Sequence, residues 1–388
     1  MAREIWPYKP RDELLETLVW ATDVFRAKSG EQRIALRTVP RRQFTLSHTL
    51  TDYEYTGARA LIRTAQSADG FLVPDWAQAI ALGSVSPDSS YAAVADASEY
   101  DFGDTALLWE SIDNYEQVTV EYDSNGGGLV LVDVTGTYTD ARVMPLWQAD
   151  ATDGLDSNRI GVRLNNVSIE FEIVENTSLA ATSQPQYRSM DVMPDCPILA
   201  GGVQETIGWP TSVIDNSLSS PEYLRQRDIP DVVYLLRWHL STRTEMWTNR
   251  TWLHARRGRQ KAFWLSSFGK DYELSSIPDT TTLKIFALPG KDGIGYETQF
   301  DIEVKSTDGT SYYRRVTAAA AGLPVDGRDT INLTIDSALS LTLGEVDRIS
   351  ILRSTRFNAD RIELLHRAGP SGIYTQVSIP CTEIEEPT

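Results

Sequence analysis

Cysteine is nearly absent. Cys196 and Cys381 are the whole supply in 388 residues. Two thiols cannot build a disulfide scaffold, and a chain of this length buries enough surface to do without one. Two reduced thiols fit a reducing compartment, with a single bond between them as the alternative. Histidine is scarce as well. His48, His239, His254 and His366 are scattered, with no HExxH, no His-x-His and no Cys-x-x-Cys, so a zinc site has no support. No run approaches the roughly 18 consecutive apolar residues of a membrane-spanning helix. Residues 1–10 carry charges and prolines but no apolar core, so they do not read as a secretion signal. Positive charge is in deficit: 36 Lys and Arg stand against 54 Asp and Glu, a net charge of −18. General nucleic-acid binding needs a positive surface to displace counterions and is excluded as a main role. Basic residues do cluster locally, over 33–42 and 250–261.

Patterns that carry catalysis are also missing. Gly126-Gly127-Gly128 is followed by Leu129-Val130-Leu131, not by Lys and Ser, so no phosphate loop is present. The glycines lie between strand-like runs at 118–122 and 129–134, which predicts a β-hairpin with a longer loop. No Gly-x-Ser-x-Gly occurs. Cys196-Pro197 and Pro380-Cys381 have no nearby base to activate a thiolate. Glu170 and Glu172 share one face of a strand and could be paired glycosidase carboxylates. Their alternation with Ile169, Phe171 and Ile173 instead predicts a solvent face. Asp360 and Glu363 flank Arg361 and read as surface ion pairing. His239 and His254 read as structural. The sequence thus predicts neither an enzyme nor a cofactor or metal site.

The pattern along the chain is mostly β. Leu14, Leu15, Leu18, Val19 and Ala21 fall at near-helical spacing behind Asp12, which predicts a short opening helix. Phe44, Leu46 and His48 alternate as in a half-buried strand. Thr51-Asp52 then caps a helix whose one face is Tyr55, Ala58, Leu61, Ile62 and Ala65, ended by Gly70. Residues 71–74 return as a strand. Strand runs follow at 106–109, 118–122, 129–134, 142–147 and 167–174. A second strand–helix–strand unit runs through 232–236, 245–257 and 262–265, with Gly258 closing the helix. Further strands are predicted at 282–286, 300–304, 311–316, 331–335, 348–352 and 361–366.

The two units suggest duplication. Leu46 and Leu236, Leu50 and Leu240, and Ala65 and Ala255 share an offset of 190; Phe71 and Phe263, and Trp76 and Phe268, share 192. The predicted fold is mainly β with a few short helices, as tandem β-sandwich or barrel-like domains that each carry a strand–helix–strand unit. The expected division is a β-rich half over 1–180, an extended arm over 181–230 and a second β-rich half over 231–388. Ten tryptophans and sixteen tyrosines are a generous supply for core or interface anchors. Arg256, Arg257, Arg259 and Lys261 close the second helix, where the dipole favours cations. They are the candidate residues for contacts between subunits or to a partner protein.

The segment Trp252-Leu253-His254-Ala255-Arg256-Arg257-Gly258-Arg259-Gln260-Lys261-Ala262-Phe263-Trp264-Leu265 resembles a helix–turn–strand signature of tailed-phage tail proteins. Ser29-Gly30-Glu31-Gln32-Arg33 with Pro40-Arg41-Arg42-Gln43-Phe44 resembles the opening of phage tail-tip proteins of the distal-tail type. The stretch 348–353, with Arg356-Phe357 and 360–363 after it, is similar to their closing β segment. The resemblance implies a virion structural protein at the tail tip, assembled in the host cytoplasm. It implies a ring of its own copies, a hexamer first and a trimer second, joining the tail tube to hub or baseplate proteins. Such a ring encloses a channel for DNA, and the charge of −18 predicts an acidic lumen that repels phosphate. The alternative is a carbohydrate-binding or carbohydrate-cleaving module, which would display tryptophans on an open cleft. A tail fibre is a third reading, but the sequence carries no shaft-like repeat.

Overall fold

The computed structural model describes residues 3–11, 13–27, 30–65, 70–87, 102–122, 129–180, 183–193, 203–218, 220–226, 230–288, 300–369 and 372–385. The first part of the chain contains β1 (Glu4–Ile5), β2 (Glu13–Ala27), β3 (Gly30–Thr51), α1 (Asp52–Ala65), β4 (Phe71–Pro74), β5 (Ile80–Val85), β6 (Thr105–Ser111), β7 (Asn114–Tyr122), β8 (Leu129–Val132), β9 (Tyr138–Arg159) and β10 (Leu164–Ile173). The second contains β11 (Gln186–Tyr187), β12 (Met190–Asp191), β13 (Gln204–Gly208), β14 (Thr211–Ile214), β15 (Glu222–Arg225), β16 (Asp231–Leu240), α2 (Arg243–Arg256), β17 (Phe263–Ser266), β18 (Leu274–Asp279) and β19 (Thr282–Phe286). It ends with β20 (Phe300–Ser306), β21 (Ser311–Val325), β22 (Arg328–Ile335), β23 (Val346–Phe357), β24 (Arg361–Gly369) and β25 (Gly372–Glu383). The fold is mainly β, largely antiparallel, with two α-helices among the described residues.

Both helices start for the same local reason. Thr51 Oγ1 accepts from Glu54 N (3.3 Å), while Glu54 Oε2 accepts from Thr51 N (2.7 Å). Thr242 and Glu245 make the same reciprocal cap on α2. Each pair satisfies two helix-end donors. α2 stops where Arg257 enters the left-handed region, and its N–H bonds Leu253 O. The predicted hairpin is present, with β7 and β8 paired antiparallel; the glycine loop 123–128 lies outside the described residues.

The expected opening helix is absent. Residues 13–27 form a strand, not a helix; Asp12 lies outside the described residues. β2 pairs β3 on one side and β24 on the other. Glu16, Thr17 and Leu18 are buried in succession, so both faces of the strand are covered and no period-two alternation shows in the sequence.

The two parts repeat one wiring. In the first, β3 pairs β10, β10 pairs β9, β9 pairs β4, and β4 pairs β1 in parallel. In the second, β16 pairs β25, β25 pairs β23 and β23 pairs β17. Val192 then bridges Trp264 in parallel. Even single bonds recur: Trp6 N donates to Leu72 O, and Met193 N donates to Trp264 O, each at 2.9 Å. Side chains follow the backbone. Glu4-Ile5-Trp6-Pro7 with Pro10 matches Asp191-Val192-Met193-Pro194 with Pro197. Glu16-Thr17, Trp20 and Thr22 match Glu205-Thr206, Trp209 and Thr211, and Val167-Ser168-Ile169 matches Val377-Ser378-Ile379. The caps set the helix register, so Ala65 corresponds to Arg256 and not to Ala255.

The stretch 181–230, expected as an arm between halves, thus holds the opening strands of the second unit. β13 and β14 stand for β2, and β15 and β16 stand for β3. Each unit has a core on its helix-bearing sheet, around Phe44, Phe71 and Phe171 in the first and around Phe263, Phe357 and Ile379 in the second. A further cluster under the inserted strands completes each unit.

Candidate assembly interface

The first unit joins the second through β2. Its Leu14 packs in the first core, but Leu18 and Trp20 pack in the second. The β2–β24 register sets Leu18 opposite Ile362 and Glu16 opposite Leu364. Burying apolar side chains of this size stabilises by about 1.5–3 kcal/mol each, so this strand welds the units.

A charged cluster sits inside the weld. Glu16 is fully buried. Arg42 Nε donates to it at 2.5 Å, Arg250 of α2 donates to its other oxygen, and His366 Nε2 lies 2.9 Å away. Burial pushes the Glu16 carboxyl up. Arg250, then Arg42 and His366, overcome this and hold it well below the usual range. Arg42 also donates to Asp75, and Gln78 Nε2 donates to Asp75 at 2.5 Å. Arg243 of α2 reaches Ala77 O (3.2 Å) and Gln78 Oε1 (3.0 Å). α2 therefore lies across the first unit through Arg243, Arg250 and His254, the last accepting from Leu179 N (3.3 Å). Burial and Arg250 lower His254 to about 3, so it stays neutral.

The four cations expected at a subunit contact divide. Arg256 is 4% exposed, bound to Asp191 and to Ala262 O (3.1 Å). Arg259 donates to Asp360 from Nε (3.0 Å) and Nη2 (2.9 Å) and to Thr22 O (2.8 Å). Both work inside the chain. Sequence spacing placed them at a helix end but could not show that the Gly258 turn folds them inward. Lys261 is exposed and Arg257 half-buried. Asp360, expected as a surface acid, is a clamp: its carboxylate also accepts from Thr22 N (2.9 Å) and Arg259 N (2.9 Å). Arg361 and Glu363 do pair on the surface, at 3.2 Å.

Gly258 makes this clamp fit. Its φ is +60°, and an added Cβ would meet Asp360 Oδ1 and lie 3.2 Å from Trp20 Cβ. Gly258→Ala is expected to cost about 2 kcal/mol or more, from left-handed strain plus the clash. A denaturant midpoint unchanged from wild type would remove the clamp from the account.

Other candidate sites resolve more simply. Glu170 and Glu172 lie on the outer side of β10, with Glu172 3.5 Å from Arg41. His239 stacks on Tyr374 at 4.8 Å. Cys381 is buried and unpaired, its thiol pushed up by burial, and Cys196 lies outside the described residues. Of the ten tryptophans, Trp209 alone is exposed. Among the described residues no group of three or more His, Cys, Asp or Glu is placed to hold a metal ion, and no helix is long and apolar enough to cross a membrane. No protein-family model matches the chain, and no curated protein matches it.

Proposed function

We propose that the chain is a virion structural protein of a phage tail tip, of the distal-tail type. Its copies form a ring that joins the tail tube to the tip or baseplate. The tandem unit carries this reading: two like domains stand side by side, joined edge to edge by β2 and β24. Six of the ten tryptophans are buried and three half-buried, which also supports it, because they then serve packing and not a sugar-binding cleft. Two units per chain favour three copies, which present six like domains to a six-fold tube; six copies are the second choice.

The purified protein at high concentration is expected to have the mass of three or six chains. A stable monomer overturns the reading. The ring's inner surface is expected to be lined by Asp and Glu, and a particle map showing a basic lumen would remove the DNA-passage role.

A further inference from the structure

The internal weld has an unused counterpart at each end of the molecule. β2 is covered on its outer edge by β24. Its equivalent, β13, pairs β16, and among the described residues no strand covers its second edge. On the opposite side, residues 361–367 of β24 correspond to residues 154–160 at the end of β9. That stretch pairs β10, and its second edge is equally uncovered among the described residues. Leu18 and Trp20 are buried, yet their counterparts Ile207 and Trp209 are 64% and 41% exposed. α2 covers the first unit, whereas the matching face of the second unit is an open cavity of about 720 Å³, lined by Glu205, Asp271, Asp301, Glu383 and Glu385 and by Arg315 and Arg353, which pair Asp301 at 2.7 Å and Glu383 at 3.9 Å.

We propose that this edge and cavity receive a second copy of the chain, head to tail. β13 of one copy adds antiparallel to residues 155–159 of the next, and α1 of that next copy lies in the cavity. The internal weld fixes the register. Thr17 faces Glu363, so Thr206 faces Asp156; Leu18 faces Ile362, so Ile207 faces Leu155. It also fixes the charges. Glu205 stands for Glu16, Arg59 of α1 stands for Arg250, and Arg159 stands for His366. Glu205 has no charged partner among the described residues, and Arg59 and Arg63 lie exposed on one face of α1. Arg159 is exposed beside Asp52 at 2.6 Å. A cavity with carboxylates in excess of its two arginines thus meets a basic helix face, and the exposed strand apolar residues are covered as β2 is. The contact is heterologous, so it propagates, and a ring closes it.

This inference rests on the self-assembling reading above, and the tests separate the two. Glu205→Arg and Arg59→Glu are each expected to weaken association at least tenfold by analytical ultracentrifugation, and the double variant to restore it. Both sites are on the surface, so folding, checked by circular dichroism, is expected to hold. In a Cys196→Ser background, Thr206→Cys with Asp156→Cys is expected to give covalent oligomers on oxidation, and neither single cysteine to do so. Protein that assembles without this cross-link or charge rescue overturns the β13–β9 contact alone. Protein that never assembles overturns the ring as well.

Discussion

Glu16→Ala lowers stability by about 3–5 kcal/mol, the range measured when one partner of a buried ion pair is removed. The reason is what remains. Arg42 and Arg250 keep their charge, and both are buried. Neither can turn to water without opening β2 from β24 or lifting α2 from the first unit. Glu16→Gln keeps the shape and an acceptor oxygen and loses less. The denaturant midpoint gives the magnitude. Hydrogen exchange gives the place, with the amides of β2 and β24 losing protection before those of β6 and β7. A midpoint within the error of wild type would mean that apolar packing alone holds the units together.

Acid weakens the fold from about pH 6.5 downward, and two buried histidines lead. His48 accepts from Trp6 Nε1 at 3.2 Å, and its Nδ1 donates to Lys9 O at 2.9 Å, which fixes the neutral ring. Burial lowers it from 6.5 to about 4, and burial with Arg250 lowers His254 from 6.5 to about 3. Between those values the unfolded chain holds two protons that the folded chain refuses. Stability is therefore complete above 6.5 and falls as pH drops, by about 1.4 kcal/mol per pH unit for each histidine. Glu16 and Glu31, lowered in the fold, extend the loss below about 4.5. Thermal scans from pH 7.5 to 4.5 should show a steadily falling midpoint. His48→Asn with His254→Asn should flatten its upper part. A wild-type midpoint level down to pH 5 would show that neither ring is held neutral.

What the sequence revealed depended on where each signal lay. α1 was legible because a Thr51 cap and an apolar helical face coincide; α2, buried over the consecutive residues Asn249 to His254, was legible from the strands that flank it and the Gly258 stop. β3 and β10 were legible because one face of each meets water. β2 was not, because both of its faces are buried over Glu16-Thr17-Leu18 and a buried carboxylate interrupts its apolar run. The duplication showed only in part, because the offset drifts. It is 189 at Glu16 and Glu205, 191 at Thr51 and Thr242, and 210 at Ile169 and Ile379. A fixed offset cannot follow that drift through loops of unequal length. Glu205-Thr206 and Trp209 were the clearest repeat of all, but glycines and prolines around them read as loop. Arg256 and Arg259 were correctly placed at the end of a helix. Their partners, Asp191 and Asp360, are 65 and 101 residues away, and no local pattern reports contacts of that kind.

Joining two units in one chain has a kinetic consequence. The weld through β2 and β24 closes within a single molecule, at the effective concentration that a tether supplies, so dilution does not open it. In the proposed ring, only the copy-to-copy contacts obey mass action. In the proposed ring of six units, three chains need two bimolecular encounters where six single-unit chains would need five, because the last contact closes within the assembly, so translational freedom is lost fewer times. Damage also sorts by position. A fault in β2 is felt as soon as one chain folds, whereas under the proposed β13 contact the same fault in β13 stays silent until chains meet.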